Sequence, residues 1–312
     1  MGERSLPQTG FLRGVTSWFD TSVGQAADVE ERMDWARVAP FVFLHVGCLF
    51  VLWVGWSPIA VALAISLWLL RAFFVTAFYH RYFSHRTYKT SRVGQFLFAF
   101  LGNTAAQRGP LWWSAHHRQH HATSDREGDP HSPIERGFWW SHVGWLTSNK
   151  NFPTNMALVP DLACYPELRL LDRLDTVAPM LMIGGLYGLG EALEAWAPGL
   201  GTNGWQLVVW GFFVSTVILF HGTCLVNSAA HKIGSRRFET RDESRNSLLI
   251  TLLTMGEGWH NNHHYYPAAA RQGFYPSEID PTFYLLKLMQ WCGLIWDLQA
   301  VPPHVLAAGR KA

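Results

Sequence analysis

Charge is scarce in this chain, and its scarcity is the first exclusion. Lys, Arg, Asp and Glu make up 15% of the 312 residues, against roughly 25% in an average soluble domain. The formal net charge is only +2, so nucleic acid is not expected as a partner. Cysteine is equally sparse. Cys48, Cys164, Cys224 and Cys292 are widely separated with no CxxC pair, which excludes a ferredoxin-like ligand set and reads as buried free thiols. No His-Pro-Gly-Gly of a fused cytochrome b5 occurs either, so electrons for any redox chemistry have to come from a separate protein. The start of the chain lacks an apolar run after a basic segment, so no cleaved signal peptide is expected. Leu6 stands where a myristoylation signal wants Ser or Thr. There is no internal repeat and no low-complexity tract. Residues 1–30 and 307–312 read as loose ends.

Long apolar runs are what the chain has instead. Almost half of it is hydrophobic and 14% is aromatic, with 16 Trp. Four stretches, 40–56, 58–79, 176–193 and 205–226, approach the ~20 residues that cross a ~30 Å hydrocarbon layer. A tight Trp56-Ser57-Pro58 turn joins the first two, and a segment rich in Pro and Gly joins the last two, so both pairs read as helical hairpins. Arg32, Arg37, Arg81, Arg86, Arg169, Arg173, Lys232 and Arg236 lie near the span ends and fall on one side, which is then cytoplasmic. Trp53, Trp56, Trp196 and Trp205 gather at the opposite interface. Segments 93–106 and 284–301, the latter interrupted by Lys287 and Asp297, read as interfacial or buried helices. The expected fold is all-α and a single domain over 1–312. Four transmembrane helices would carry a cytosolic helical cap built from 80–175 and 227–306.

Fifteen histidines are present, and nine are spaced in a way that core packing does not explain. His80 and His85 are five apart at the cytoplasmic end of the second span. His117, His120 and His121, like His260, His263 and His264, follow i, i+3, i+4, so each trio can aim at one point from one helix face. Asn227 and His231 are four apart just past the fourth span. The first pair requires the helix to end or bend between its members, and Ser84 is the place for it. All nine fall on one membrane side. Imidazole suits zinc, copper, iron and nickel; nine are too many for one tetrahedral zinc but fill much of the coordination of two metals. Asp125, Asp129 and Glu257 flank the boxes as candidates to hold the second ring nitrogens. His116 points off its helix arc, His131 and His142 rank as outer partners, His45 and His221 sit in spans without an obvious partner, and His304 reads as solvated.

The segments HRYFSH, HRQHH, NSAAH and GEGWHNNHH, with DPHSPIERGFWWSHVGWL between them, resemble the membrane fatty-acyl desaturases of the stearoyl-CoA (delta-9) type, the bacterial branch most nearly. The resemblance covers about residues 70–298. It implies two irons, replaceable by zinc in recombinant protein, held by His80, His85, His117, His120, His121, His231, His260, His263 and His264, with Asn227 holding a metal-bound water. It implies an enzyme that uses O2 as co-substrate to set a cis double bond near the middle of a long acyl chain. No separate side-chain acid or base is needed for that chemistry. A same-scaffold hydroxylase, decarboxylase or ketolase is the alternative, and a metal transporter or sensor a third. An external donor of ferredoxin, rubredoxin or cytochrome b5 type, with its reductase, would supply electrons. Membrane lipid surrounds the protein, with a bacterial inner membrane expected and the site on its cytoplasmic side. Animal members carry a basic and an acidic residue where this chain has Ala115 and His116, and adjacent basic residues where it has Asn149 and Lys150. The acyl carrier is therefore open between coenzyme A, acyl carrier protein and intact lipid. A narrow apolar tunnel must present one pair of methylenes. Trp68 is a candidate for its floor and Trp112, Trp113, Trp139, Trp140 and Trp145 for its mouth, while Lys150 is a candidate contact for the acyl donor.

Overall fold

A computed structural model describes residues 30–310; the expected loose ends at 1–29 and 311–312 lie outside the described residues. The chain is mostly helical. The first expected span runs as α1 (Trp35–Leu49) and, after a turn at Phe50, a last helical turn Val51–Val54. The second is α2 (Pro58–Ser84). Its start is fixed by Ser57, whose hydroxyl accepts from the Ala60 amide at 3.1 Å, with Pro58 at the first helical position. The last two expected spans are α7 (Val177–Trp196) and α8 (Gly204–His231).

Among the described residues, α2 and α8 are long and apolar enough to cross a membrane. A third span is obtained if α6 (Pro166–Arg173) is counted with α7 across a 65° bend, while Val38–Val54 is apolar but shorter. Of the four expected spans, two thus stand as long apolar helices, or three if the bent pair counts as one, and the first is shorter. The loop ends of the two hairpins are tied together. Ser57 donates to Gln206 Oε1 at 2.7 Å, and Gln206 and Trp210 donate to the Val54 and Gly55 carbonyls. Trp53 and Trp205 meet there at 6.5 Å, largely exposed.

The cap fills the space between and after the hairpins. β1 (Lys89–Thr90) leads into α3 (Arg92–Asn103), which is too short to span and lies against α2. α4 (Pro110–Thr123) begins where Asp172 of α6 accepts the Leu111 and Trp112 amides at 2.9 and 3.0 Å. Then come α5 (Phe138–His142), α9 (Leu248–Leu253) and α10 (His260–Tyr265). Three expectations need correcting. The 284–301 segment is not one helix: α11 (Pro281–Trp291) stops before Gly293, where φ is +73°, and the chain then forms β2 (Ile295–Trp296). β2 pairs antiparallel with β1, so the fold is not wholly α. The C-terminal segment is also held: α12 (Pro303–Ala308) packs its Leu306 carbonyl on the Tyr275 hydroxyl at 2.8 Å. The aromatic core sits where α2 meets α3 and α4, with Phe78 stacked on Phe98 at 4.0 Å. Of the cysteines, all unpaired, only Cys224 is fully buried; Cys164 and Cys292 are exposed, against expectation.

Candidate metal centre

The difficult histidine pair is solved by the helix itself. From Phe74 to Ser84, α2 is a π-helix, whose bonds run between residues five apart. The His85 amide closes such a bond on the His80 carbonyl at 3.2 Å. Residues five apart therefore stack, and the two rings stand 4.9 Å apart. The helix does end at Ser84, as the spacing required, but its widening brings the rings together.

All nine expected histidines converge, in two adjoining groups. His80, His85, His117, His121 and His263 bring ring nitrogens within 4.8 Å of one another, and so do His120, His231, His260 and His264. Each HxxHH trio serves both groups. Nε2 atoms approach closely: His85 and His117 at 2.7 Å, His121 and His263 at 2.9 Å, His231 and His260 at 2.9 Å, His80 and His263 at 3.0 Å.

The far side of the rings explains why. Glu257 receives His80 Nδ1 at 2.5 Å, Asp129 receives His120 Nδ1 at 3.0 Å, and Asp125 receives His231 Nδ1 at 2.7 Å. All three flanking carboxylates expected from the sequence are in place. A fourth, Asp242, receives His264 Nδ1 at 2.7 Å. Sequence reasoning missed it because it sits in a charged turn at no fixed spacing from a histidine box. Carboxylates only accept, so these four rings carry their proton on Nδ1 and keep an Nε2 lone pair. Lone pairs turned inward at such distances call for cations between them. Two imidazole nitrogens on one metal at about 2.0–2.1 Å and at right angles stand about 2.9 Å apart, which is the spacing seen. His264 Nε2 is buried without a partner, as an unfilled ligand should be. The donor set therefore fits metal.

Electrostatics prepare the same state. Burial, then the neighbouring imidazoles, hold His85, His117, His121, His260 and His263 well below the ordinary histidine range. Burial takes His264 to about 4 although Asp242 pulls the other way. These rings are neutral near pH 7. Burial opposes ionisation of Asp125, Asp129, Asp242 and Glu257, but their imidazole partners outweigh it and keep all four below the usual carboxylate range. Asp125 is held at φ +56°, rare for a residue with a side chain. Its carboxylate there also accepts from the Glu243 amide and the Ser132 hydroxyl, each at 2.8 Å. Gly256, before Glu257, has φ +125° and no room for a Cβ, which would stand 2.6 Å from Asp280 Oδ1.

Two cavities meet at the histidines. The larger, about 340 Å³, is lined by Trp112, Trp113, His117, Trp145 and Asn227 among mainly apolar neighbours. The smaller, about 50 Å³, shares Trp113, His117, Thr223 and Asn227 with it and continues past His80, His120 and His260 to Ala72 and Leu219. Trp68 packs against Ala72 and Leu219, beyond this inner end. Lys150 lines neither cavity and is exposed. Trp139 is 76% exposed, and Trp140 lies under the Arg136 guanidinium instead of in the wall. His116 stays out of both groups, bonded to the Trp112 carbonyl at 2.9 Å, and burial lowers it to about 4. His45 and His221, which had no obvious partner in the sequence, partner each other at 2.9 Å, and His221 reaches His142 at 3.0 Å.

A helical cap that gathers nine imidazoles beside an apolar cavity, above apolar helices, defines a histidine-box enzyme of membrane-associated lipid chemistry. Comparison supplies the family. Residues 52–274 match the fatty acid desaturase family. The chain is 35% identical over 279 residues to an sn-2 palmitoyl-lipid 9-desaturase of Nostoc sp. (strain 36), covering 88% of this chain and 93% of that one. It is 36% identical over 301 residues to an acyl-CoA 5-desaturase of Anemone leveillei (92% and 88%). It is also 31% identical over 294 residues to a hex-5-enoyl-[acyl-carrier protein] acetylenase of Moorena producens (88% of each). The chain belongs to the fatty acid desaturase family and is a fatty-acyl desaturase.

Proposed function

We propose that this chain is a single-domain, four-span membrane enzyme that sets a cis double bond near the middle of a long acyl chain, in a delta-9-like position, at a two-iron centre. The observation that carries the reading is the meeting of two inward-turned imidazole groups with one apolar cavity. His80, His85, His117, His121 and His263 would hold one iron. His120, His231, His260 and His264 would hold the other, with Asn227, which lines both cavities, holding a water on it. When bound, the irons supply O2 activation and removal of hydrogen from unactivated carbon. Zinc in recombinant protein would occupy the same ligands without that chemistry.

The protein's part is position and exclusion. Glu257, Asp129, Asp125 and Asp242 fix ring orientation and tautomer. Trp113 and His117, common to both cavities, mark where an acyl chain passes the histidines. The narrow inner cavity admits the remaining carbons and so sets which methylene pair stops there. Trp68 beyond Ala72 serves as its floor. The reaction takes two hydrogens from the chain, two protons from solvent and two electrons from an external donor, and reduces one O2 to two waters. The donor would be of ferredoxin, rubredoxin or cytochrome b5 type with a reductase, approaching the cap from the cytoplasmic side of a bacterial inner membrane. Relatives named for lipid, coenzyme A and carrier-protein substrates leave three acyl carriers for this chain.

The test is expression in cells that make only saturated chains, followed by gas chromatography of their lipids. A mono-unsaturated product with iron in the purified protein supports the reading. An oxygenated or shortened product from the same chain would move the assignment to a hydroxylase or decarboxylase. No product with iron intact would remove the enzyme reading.

A further inference from the structure

The larger cavity has a charged opening that the chemistry above leaves without a role. Among its lining residues, Arg108 is the one guanidinium or ammonium group and Asp175 the one carboxylate. They stand 3.8 Å apart, beyond a good hydrogen bond, with the Arg108 side chain 29% exposed and that of Asp175 7%. The guanidinium lies 4.4 Å over the ring of Phe152, another lining residue. Its backbone is unusual: Ala106 and Arg108 have φ of +55° and +71°, where residues with a Cβ are seldom found. The Arg108 carbonyl lies 3.2 Å from the Tyr79 hydroxyl, whose proton goes to the nearer Asn103 Oδ1. A strained turn that holds a cation in the cavity wall, without a close hydrogen bond to its nearest carboxylate, points to use there.

The place of the opening is equally specific. Asp175 and Thr176 immediately precede α7, while Pro40, Phe41, Phe43 and Leu44 belong to α1, and all of them line the cavity. Phe43 is 59% and Met180 of α7 is 63% exposed although both are lining residues. The cavity wall between α1 and α7 is thus continuous with the apolar outer flank of the stem. Both helices lean on the same Val209–Val214 turn of α8.

Resting on the desaturase reading, we propose that Arg108 selects the acyl donor by donating to the ester carbonyl of a membrane glycerolipid whose chain enters sideways between α1 and α7. Asp175 offsets the charge of Arg108, and the buried Asp172 acts on both, so the opening carries no net positive charge. Coenzyme A brings several negative charges, and such an opening gives them no complement. An ester carbonyl needs only one or two donors, and a guanidinium has five in a fixed fork. The side entrance lets the headgroup remain at the membrane surface while the chain slides in toward His117.

The experiment uses full-length, iron-loaded protein in nanodiscs, with a reductase and its electron carrier. One arm contains distearoyl-phosphatidylcholine in dioleoyl lipid, and the other stearoyl-CoA over dioleoyl lipid alone. Wild type is expected to favour the glycerolipid by at least about tenfold in kcat/KM, a difference of 1.4 kcal/mol in donor selection. Arg108→Asn, chosen because Asn tolerates positive φ, raises the KM for the lipid about tenfold and leaves kcat within about threefold. It changes turnover of stearoyl-CoA less than about twofold. Arg108→Lys, which keeps charge and loses the fork, falls between, and decides the matter if the Asn variant does not fold. Asp175→Asn shifts the donor ratio toward stearoyl-CoA. A second readout needs no turnover: under nitrogen, brominated-chain phosphatidylcholine quenches tryptophan fluorescence of the wild type at lower lipid content than of Arg108→Asn. A wild type that prefers stearoyl-CoA, or an Arg108→Asn that loses both donors equally, overturns the proposal and leaves the desaturase reading standing. A wild type that unsaturates neither donor overturns both.

Discussion

The molecule contains two histidine assemblies with nearly identical ring-to-ring spacing and different consequences. In the cap, Nε2 atoms of seven of the nine rings lie as close as 2.7–3.0 Å. Beside them, His45, His221 and His142 form a chain with nitrogens 2.9 and 3.0 Å apart. The difference lies at the other nitrogen. His45 Nδ1 donates to the Phe41 carbonyl at 2.7 Å, and His142 Nδ1 meets the Ser228 hydroxyl at 3.0 Å. The Ser228 hydroxyl gives its proton to the Cys224 carbonyl at 2.7 Å and so accepts from His142 Nδ1, which leaves this chain a backbone carbonyl and a hydroxyl, both neutral, behind its outer rings. In the cap, four rings give Nδ1–H to carboxylates and turn bare lone pairs toward their neighbours. Closeness of imidazoles therefore does not mark a metal site. What sets the cap apart is the ionised carboxylate behind four of its rings, where the His45 chain has only neutral partners.

The strongest way to break this comparison is at the ring that touches most of its own group. His263 meets both His80 and His121. His263→Ala is expected to lower iron in the purified protein from two toward one per chain and to reduce desaturation at least about 100-fold. Retention of both irons would return the cap histidines to the same class as the His45 chain. Next is the acceptor behind a ring. Asp242→Ala leaves His264 its position but not its tautomer, and metal affinity should fall about 10–100-fold, measured by iron retention against a chelator. Asp125→Ala should behave alike, and unchanged retention in both would remove the carboxylate argument. The third change is made in the other assembly. His221→Leu cuts two links and strands His45 and His142. It should cost about 1–3 kcal/mol of stability, read as a lower thermal midpoint, while iron per chain stays as in wild type. Loss of iron there would show that the two assemblies are one.

The nine ligating candidates were legible because spacing on a helix is set by the backbone alone. The trios at 117–121 and 260–264 need no tertiary information to share a face. His80 and His85 were legible as a problem, but a π-helix has no simple sequence signature, so its solution was not. Asp129 and Glu257 stood near the boxes and were found; Asp242 comes from a turn that only the folded cap brings to His264. The same limit hid the partners of His45 and His221, which belong to different spans and meet across a helix pair. The spans were legible unevenly, two as long apolar helices and two less plainly, because hydropathy sees apolar length and not bends. The chain breaks at Phe50 and bends by 65° before α7, and a run of apolar residues announces neither. Lys150 was a candidate for donor contact by its position in a motif, whereas the cation that lines the cavity, Arg108, lies in a turn that pattern reading passes over.

The smallest expected effect concerns that opening and separates it from the metal centre. Burial lifts the Asp175 carboxyl to about 6, with Arg108 drawing it partly back. A carboxyl raised in the folded state binds its proton more tightly there than in the unfolded chain, so the protein gains stability below the ordinary carboxylate range. That gain is lost as pH rises through about 6. The full difference is about 3 kcal/mol at 1.36 kcal/mol per unit, of which about 1–1.5 kcal/mol falls between pH 5 and 7.5. The thermal midpoint of wild type should drop over that interval, and Asp175→Asn should flatten the drop while leaving iron content unchanged. The cap carboxylates are shifted the opposite way, so acid weakens their interactions with the rings, and their pH response has the reverse sign. A wild type whose midpoint rises steadily from pH 5 to 7.5, with Asp175→Asn superimposable on it, would mean that the Asp175 carboxyl is not raised in the folded protein.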